Sequence, residues 1–592
     1  MKRRRLKVEL TLLGPILTQS SVAGEPGIDA PVARDAFGRV MLPYSLVKGK
    51  ILDAFRDLRP NDPTIMNWLG VPSDEGAYEP ERGRLRFTDF TTKTAERKQD
   101  DHDGIIERIQ IDANTGSVAG RMLAMLEAPY GYNEPVLFEG FVDFIADDAE
   151  ATIIQQELKQ AFDWVSSYGA MRTVGFGRKQ SVELKSQPAT TKAVTKPAEK
   201  AVLPLRFHLD RPLCIVGRKH SGNHFESLEH IPGSVLKGAA ARLILDLNSS
   251  KSKFIDSKNP EKRFGLICKH FESIRFGEAK LMGKGEGQRR PVVPPLSLVV
   301  TPTDKVSFFD VALLEAPQLI NGASPAFQPD WKEEDCINVS KAFGTVKASK
   351  ERRIRTAIDP EKWQALDRSL FSFDLVLPET PEHKCVWEGT IGLNEIPSQE
   401  HLLLRNELLE LLSGGLTNIG KTRAIAEVEW LPNRTAPSMN SNISLPDDLH
   451  IITLQTDFLM TNPETLQKRD LQKAYEEFWQ DVSGKKLDLV RFFAKQSLHG
   501  GFIAQRANQQ QYKPFLLTER GSVFVLRSYD PKEAQKFLDS WTETGLPMAP
   551  WVSVYYGSPN KPLWMTCPLL PHVGFGEIVV DLECHKTKRP QQ

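Results

Sequence analysis

Four carboxylates stand in polar stretches of the chain: Asp29 and Asp35 near the start, Glu226 and Glu229 further on. Such groups can share a divalent cation or move a proton. On its own Asp29 reads as an exposed loop acid, and Asp35 as readily as a turn residue pairing with Arg34. His220 and His224 lie close to the second pair and offer general bases or contacts to a hydroxyl. A second chemistry belongs to cations beside glycine. Lys48 and Lys50 flank Gly49, Arg172 and Arg178 flank Gly175 and Gly177, Lys237 precedes Gly238, and Lys421 and Arg423 follow Gly414 and Gly415. Lysine and arginine bind phosphate, a helix start adds N–H groups and a favourable dipole, and glycine lets the backbone come close. Singly these are ordinary solvated charges and turn glycines. The loops 169–178 and 414–423 together point to a phosphate backbone such as RNA.

The elements that must position these residues occur twice. Residues 6–17 alternate as a strand and a polar excursion follows. Pro43-Tyr44-Ser45-Leu46-Val47-Lys48-Gly49 then opens a helix running to Leu58, with Ser45 as its expected cap. A strand over 203–209 and a shorter polar loop lead to Pro232-Gly233-Ser234-Val235-Leu236-Lys237-Gly238, again P-x-S-x-(V/L)-K-G at a helix start. The order then repeats: a strand over 83–90 against Arg275-Phe276-Gly277, Arg108 to Asp112 against Arg355 to Asp359, and 137–142 against 385–391. Helices over 151–166 and 400–412 precede the two glycine-rich loops. Duplication in this order predicts two copies of one fold. Hairpin-like strand pairs flanking single helices suit an α+β, ferredoxin-like split β-α-β core with long insertions rather than a doubly wound sheet. The expected division is a first domain over 1–184, a Lys/Ala/Thr/Pro linker over 185–202 and a second domain over 203–445. A C-terminal α+β segment over 446–592 follows, a third degenerate copy or an elaboration of the second.

Composition narrows the function. A chain of 592 residues suggests about three or four domains. No run approaches the ~20 apolar residues that span a bilayer, so no membrane partner is expected, and the chain is read as cytoplasmic. Lys plus Arg and Asp plus Glu number 76 each, so nucleic acid would have to be bound by local patches rather than bulk charge. Six cysteines without a C-x-x-C pair give no disulfide framework, and Cys268 with His270 supplies two ligands, short of a metal site.

The segment Ile28-Asp29-Ala30-Pro31-Val32-Ala33-Arg34-Asp35 before the P-x-S-x-x-K-G helix, the later strand and the basic glycine-rich loop resemble the RAMP superfamily of CRISPR-Cas proteins. The first copy is especially similar to backbone subunits of type III effector complexes, and the double copy looks like III-D variants with fused backbone units. The resemblance implies tandem RRM-like domains with β-hairpin thumbs, binding CRISPR RNA and target RNA among other type III subunits. It implies that a loop aspartate cuts target RNA with Mg²⁺ or another divalent cation. Carried onto this sequence, Asp29 is the expected metal-binding and cutting residue and Asp35 a helper. Lys48, Lys50, Arg172, Gly175, Gly177, Arg178, His220, His224, Lys237, Gly414, Gly415, Lys421 and Arg423 are the expected RNA contacts. The second copy departs from the pattern: no aspartate lies between its loop and the Pro-Gly-Ser, and Glu229, with Glu226 beside it, is the expected substitute. The other reading is a non-catalytic scaffold or capping subunit of the same kind of complex.

Overall fold

The computed structural model describes residues 1–20, 27–71, 81–96, 104–112, 114–187, 199–219, 223–283, 290–301, 304–315, 319–320, 322–358, 365–431, 448–466, 470–501, 512–588 and 590. The first sheet grows from β1 (Lys2–Leu13), which buries Leu6, Val8, Leu10 and Leu12 and turns the residues between them outward. Each such side chain contributes about 2 kcal/mol by leaving water. Helix α1 (Tyr44–Leu58) covers that face with Val47, Ile51, Ala54 and Phe55, one stripe at helical spacing. Then come β2 (Arg86–Phe87), a hairpin of β3 (Ile105–Ile111) and β4 (Val118–Glu127), β5 (Pro135–Ala146), α2 (Asp148–Trp164) and β6 (Arg178–Gln187). The sheet runs β6-β1-β5, with β2 on the far side of β5.

A second unit repeats this with β7 (Val202–Leu209), α3 (Gly233–Asn248), β8 (Arg275–Phe276), a hairpin of β9 (Lys350–Ile358) and β10 (Ala365–Val376), β11 (Trp387–Gly392), α4 (His401–Leu412) and β12 (Ala424–Trp430). Its strands lie in the order β8-β11-β7-β12. A third follows: β13 (Leu449–Leu454), α5 (Leu471–Val482), β14 (Leu487–Phe493), a hairpin of β15 (Gln496–His499) and β16 (Phe515–Thr518), β17 (Val523–Ser528), α6 (Pro531–Thr544) and β18 (Ile578–Val580), in the order β14-β17-β13-β18. All three sheets place their core strands in the order second, third, first, fourth, antiparallel throughout, which is the ferredoxin-like arrangement.

Register makes the equivalence residue by residue. Leu6 pairs with Val142, Leu203 with Ile391 and Ile452 with Phe524; opposite them on the other side sit Phe87, Phe276 and Phe492. An Arg-Phe pair therefore holds the same place in every unit: Arg86-Phe87, Arg275-Phe276 and Arg491-Phe492. Three residues past the arginine stands a carboxylate in the first two units, and the following unit grips it. Asp89 accepts the Tyr44 N–H at 2.8 Å and the Arg353 guanidinium of β9 at 2.7 Å. Glu278 accepts Arg520, just past β16, at 2.9 and 3.0 Å. Burial pushes both carboxyls up, but the arginines outweigh it and hold both below the ordinary range.

Several expectations are corrected. Ser45 does not cap α1; Pro43 precedes the helix without a side-chain cap, and Asp89 from the β2 region takes the Tyr44 N–H instead. The strand expected over 83–90 is two short pieces, 86–87 and 90–92. Residues 185–187 belong to β6 and Val202 to β7, because Lys185 pairs with Lys7 and its amine with Glu9; most of the remaining linker lies outside the described residues.

At the second junction Glu577, at the foot of β18, bonds Arg290, and Arg290 with Lys280 overcomes burial to bring Glu577 down to about 2. A carboxylate whose folded pKa is depressed contributes stability present above the unfolded value and lost as pH falls through the folded one. Urea unfolding between pH 4.5 and about 2 is therefore expected to show a slope steeper by about one proton in wild type than in Glu577→Gln.

Candidate nucleic-acid interface

Asp29 lies where the polar excursion crosses the base of the β3–β4 hairpin. Its N–H donates to the Met125 carbonyl at 2.9 Å, its Oδ2 accepts the Met125 N–H at 2.8 Å, and Ala30 bridges Leu126 in parallel. The side chain is exposed, and no lysine or arginine among the described residues pairs with it. Its neighbour Glu127 is occupied, accepting the Val32 N–H and Arg34. Asp35 is committed to a turn: it accepts the Phe37 and Arg39 N–H groups and pairs with Arg39, while Arg34 bonds Glu96 and Glu127 instead. The structure thus separates Asp35 from Asp29 in role.

In the second unit the corresponding strand pairing is His224 with Ser372, Phe225 with Phe373 and Glu226 with Asp374, again parallel to the second hairpin strand. The hairpins align through Glu127-Ala128-Pro129 and Val376-Leu377-Pro378, each ending a strand whose last residue faces the first of its partner, Ile105 or Lys350. On that register Glu226, not the favoured Glu229, stands where Asp29 stands. Lys350 reaches both, Glu226 at 2.9 Å and Glu229 at 3.3 Å, and Glu229 also accepts the Ala348 N–H. His224 lies 3.4 Å from Asp374, and His220 lies outside the described residues.

The residues of a divalent-cation site can be tested against this geometry. Magnesium is commonly held by one or two carboxylates together with substrate phosphates. Asp29 supplies one carboxylate with Oδ2 oriented by the backbone, which fits a cation shared with bound phosphate rather than a site complete in protein ligands. Among the described residues, the three-membered metal-capable grouping is Asp310, Cys584 and His585, which does not include Asp29. Cys268 is core, and His270 pairs with Glu400.

The cations divide sharply. Burial, with Arg423 nearby, pulls the Lys48 ammonium down; Arg423 is itself drawn down to about 9 by burial and then by Arg86, Arg82 and Arg211. Lys48 from the first unit and Arg423 from the second thus share one crowded positive seam. Within it, Arg86 Nε is buried without a hydrogen-bond partner among the described residues. Lys50 is lowered by burial and by Arg172, so the start of α1 and the first glycine-rich loop also share charge. In that loop Gly175 turns at φ 93° with open space beside it, whereas Gly177, φ 60°, backs onto the Tyr168 carbonyl. Arg178 bonds Asn133 and lies 5.9 Å from the Tyr132 ring centre. Lys421 sits 4.5 Å over Phe225, which stacks on Phe373 at 5.2 Å; Arg355 lies 5.5 Å over Phe373 and 4.8 Å over Tyr44, donating to its hydroxyl. This ladder of rings and cations joins the α1 start of one unit to the hairpin base and glycine loop of the next.

Three expected contacts do not belong to that surface. Lys237 is 5% exposed and donates to the Glu272 and Ile274 carbonyls, because α3 packs that face inward. Gly414 is backed by the Arg3 guanidinium of the first unit, and Gly415, φ 82°, by the Ala426 carbonyl. Sequence reading missed Arg86, Arg211, Phe225 and Phe373. The signal that reaches Arg86 is the Arg-Phe pair, which the sequence carries at five places, 86–87, 206–207, 263–264, 275–276 and 491–492; strand register selects the first, fourth and fifth as equivalent.

Residues 9–180 match the family model of the RAMP superfamily. That match falls on the first unit. No curated protein matches the sequence. Among solved structures, a chain of the type III-B Cmr-beta complex bound to cognate target RNA is 17% identical with a TM-score of 0.23, over 31% of this chain and 61% of that one. A chain of the same kind of complex with target RNA and AMPPnP is 13% identical with a TM-score of 0.30, over 57% and 88%. This chain thus spans 61% of the length of the first of these chains. No helix among the described residues is long and apolar enough to cross a membrane.

The first unit keeps its lysine, Lys48, at the seam; the equivalent Lys237 has its ammonium pulled down to about 7 by burial. A lysine with a depressed folded pKa binds fewer protons when folded, so stability rises with pH from about 7 towards the ordinary 10.5. Denaturant titrations across that window are expected to show the rise in wild type and to lose it in Lys237→Met.

Proposed function

We propose that this chain is a CRISPR RNA-binding backbone subunit of a type III interference complex. In this reading it cuts guide-complementary target RNA at Asp29, in concert with other type III subunits. The observation that carries the reading is the ring and cation ladder across the seam between units. Phosphates are met by Lys48, Lys421, Arg423 and Arg172, which neutralise charge without reading sequence. Partly exposed Phe225, Phe371 and Phe373 offer stacking faces to splayed bases. Crowded cations whose protons are already loosened gain most from an anion, so a phosphate at the seam relieves their mutual repulsion.

For cleavage, Met125 N–H fixes Asp29 Oδ2 and leaves Oδ1 to meet the displaced 2′-hydroxyl or a cation, with the hairpin base as a rigid mount. A divalent cation bound there would draw negative charge from the scissile phosphate. The second unit holds RNA without cutting, because Lys350 neutralises both Glu226 and Glu229.

The test uses assembled complex, guide and end-labelled complementary RNA in Mg²⁺. Asp29→Ala is expected to erase one cut while binding persists, and Glu226→Ala and Glu229→Ala to leave the ladder of products unchanged. Loss of binding alongside the cut, or a full ladder in Asp29→Ala, would refute the assignment. In salt titrations, Arg423→Ala is expected to make the plot of log affinity against log salt shallower by about 0.7 to 0.9 per lost phosphate contact.

A further inference from the structure

The third unit's sheet carries a different outward face from the first. Where the first has Arg5 and Asp143 in register, hydrogen-bonded to each other and meeting Arg211 of the second unit, the third has Ile451 and Val525. Where Asp89 and Glu278 follow the Arg-Phe pair by three, the third unit has Ala494. Its outward face is covered from within the chain. The long insertion of the second unit, between β8 and β9, includes the strand Leu298–Thr301, the residues to Val311 and Ala312 and the helix Glu333–Phe343. Arg491 donates to the Ala312 carbonyl at 3.1 Å, Phe327 stacks on Phe493 at 6.3 Å, and Ala312 is buried with Ile451, Val523 and Val525. Arg491 is thus met by the insertion at the position where Arg275 of the second unit is met by Pro571 of the third.

We propose that the described residues between 290 and 346 terminate the array: they occupy the docking face of the third unit, so the chain adds a neighbouring unit only through its first. The open end carries the complementary group. Arg108, whose counterpart by strand register is Arg353 rather than the Arg355 that the sequence alignment suggests, meets no carboxylate among the described residues and faces the Met171 sulfur. It fits a ferredoxin-like unit bearing a carboxylate three residues past its edge arginine, which a second copy of this chain does not present.

Light scattering on the purified full chain is expected to give one mass near 66.5 kDa from low to high micromolar concentration. Replacing residues 297–344 by a Gly/Ser linker together with Ala494→Asp is expected to produce head-to-tail oligomers that Arg108→Glu dissolves. If that deletion does not fold, the full-length Phe327→Ala, Phe493→Ala, Ala494→Asp variant supplies the same comparison. Wild-type oligomers sensitive to Arg108→Glu would overturn the proposal. So would a folded, uncapped variant that stays monomeric, or one whose oligomers ignore Arg108→Glu.

Discussion

A buried carboxylate gripped by an arginine of the following unit holds the molecule in its order. Asp89 with Arg353 and Glu278 with Arg520 sit where desolvation is costly, so each pair stabilises only while both partners remain and geometry is kept. Asp89 also takes the first N–H of α1. One carboxylate therefore sets how the helix leaves its sheet and where the next unit's hairpin lies, and the two cannot shift separately. The ladder from Tyr44 through Arg355, Phe373 and Phe225 to Lys421 follows from that placement.

The same junction explains why cations gather. Arg86 and Arg211 meet beside Asp143 and Asp210, and Arg423 is brought in against them. Burial first, and then the neighbouring cations, lower the proton affinity of Arg423 and Lys48, and the nearby Asp143, Asp210 and Asp246 do not offset it. At the second junction the balance is reversed in kind. Glu577 stands where Arg178 stands in the first unit, after the same Val-Gly-Phe-Gly turn, and closes on Arg290. The first junction gathers cations, and at the second Glu577 closes on Arg290 and Lys280 from within the chain.

Much of the fold was legible. Period-two spacing in residues 6–12 and the helical spacing of Ile51, Ala54 and Phe55 identify strand and helix directly, and the expected end of α1 at Leu58 agrees with the structure. The repeat located two units, but the third hides its kinship because it lacks P-x-S-x-x-K-G and keeps only Arg491-Phe492 and the glycine turn. Asp29 was legible as a loop acid, yet its mount on Met125 depends on a pairing across 96 residues. Lys237 misled because its motif matches that of Lys48; what differs is the packing of α3, which local sequence does not encode. Glu229 misled for a related reason: counting back from the Pro-Gly-Ser favours it, whereas strand register selects Glu226.

The most direct test of the account is a pair of double-mutant cycles measured by denaturant unfolding. One combines Asp89→Asn with Arg353→Met, the other Glu278→Gln with Arg520→Met. Buried pairs that orient successive units should each give a coupling energy of about 1.5 to 3 kcal/mol, with single variants costing about 3 to 5 kcal/mol. Coupling near zero at both junctions would mean that the units are held by other contacts, and the repeated acid and arginine would lose their organising role.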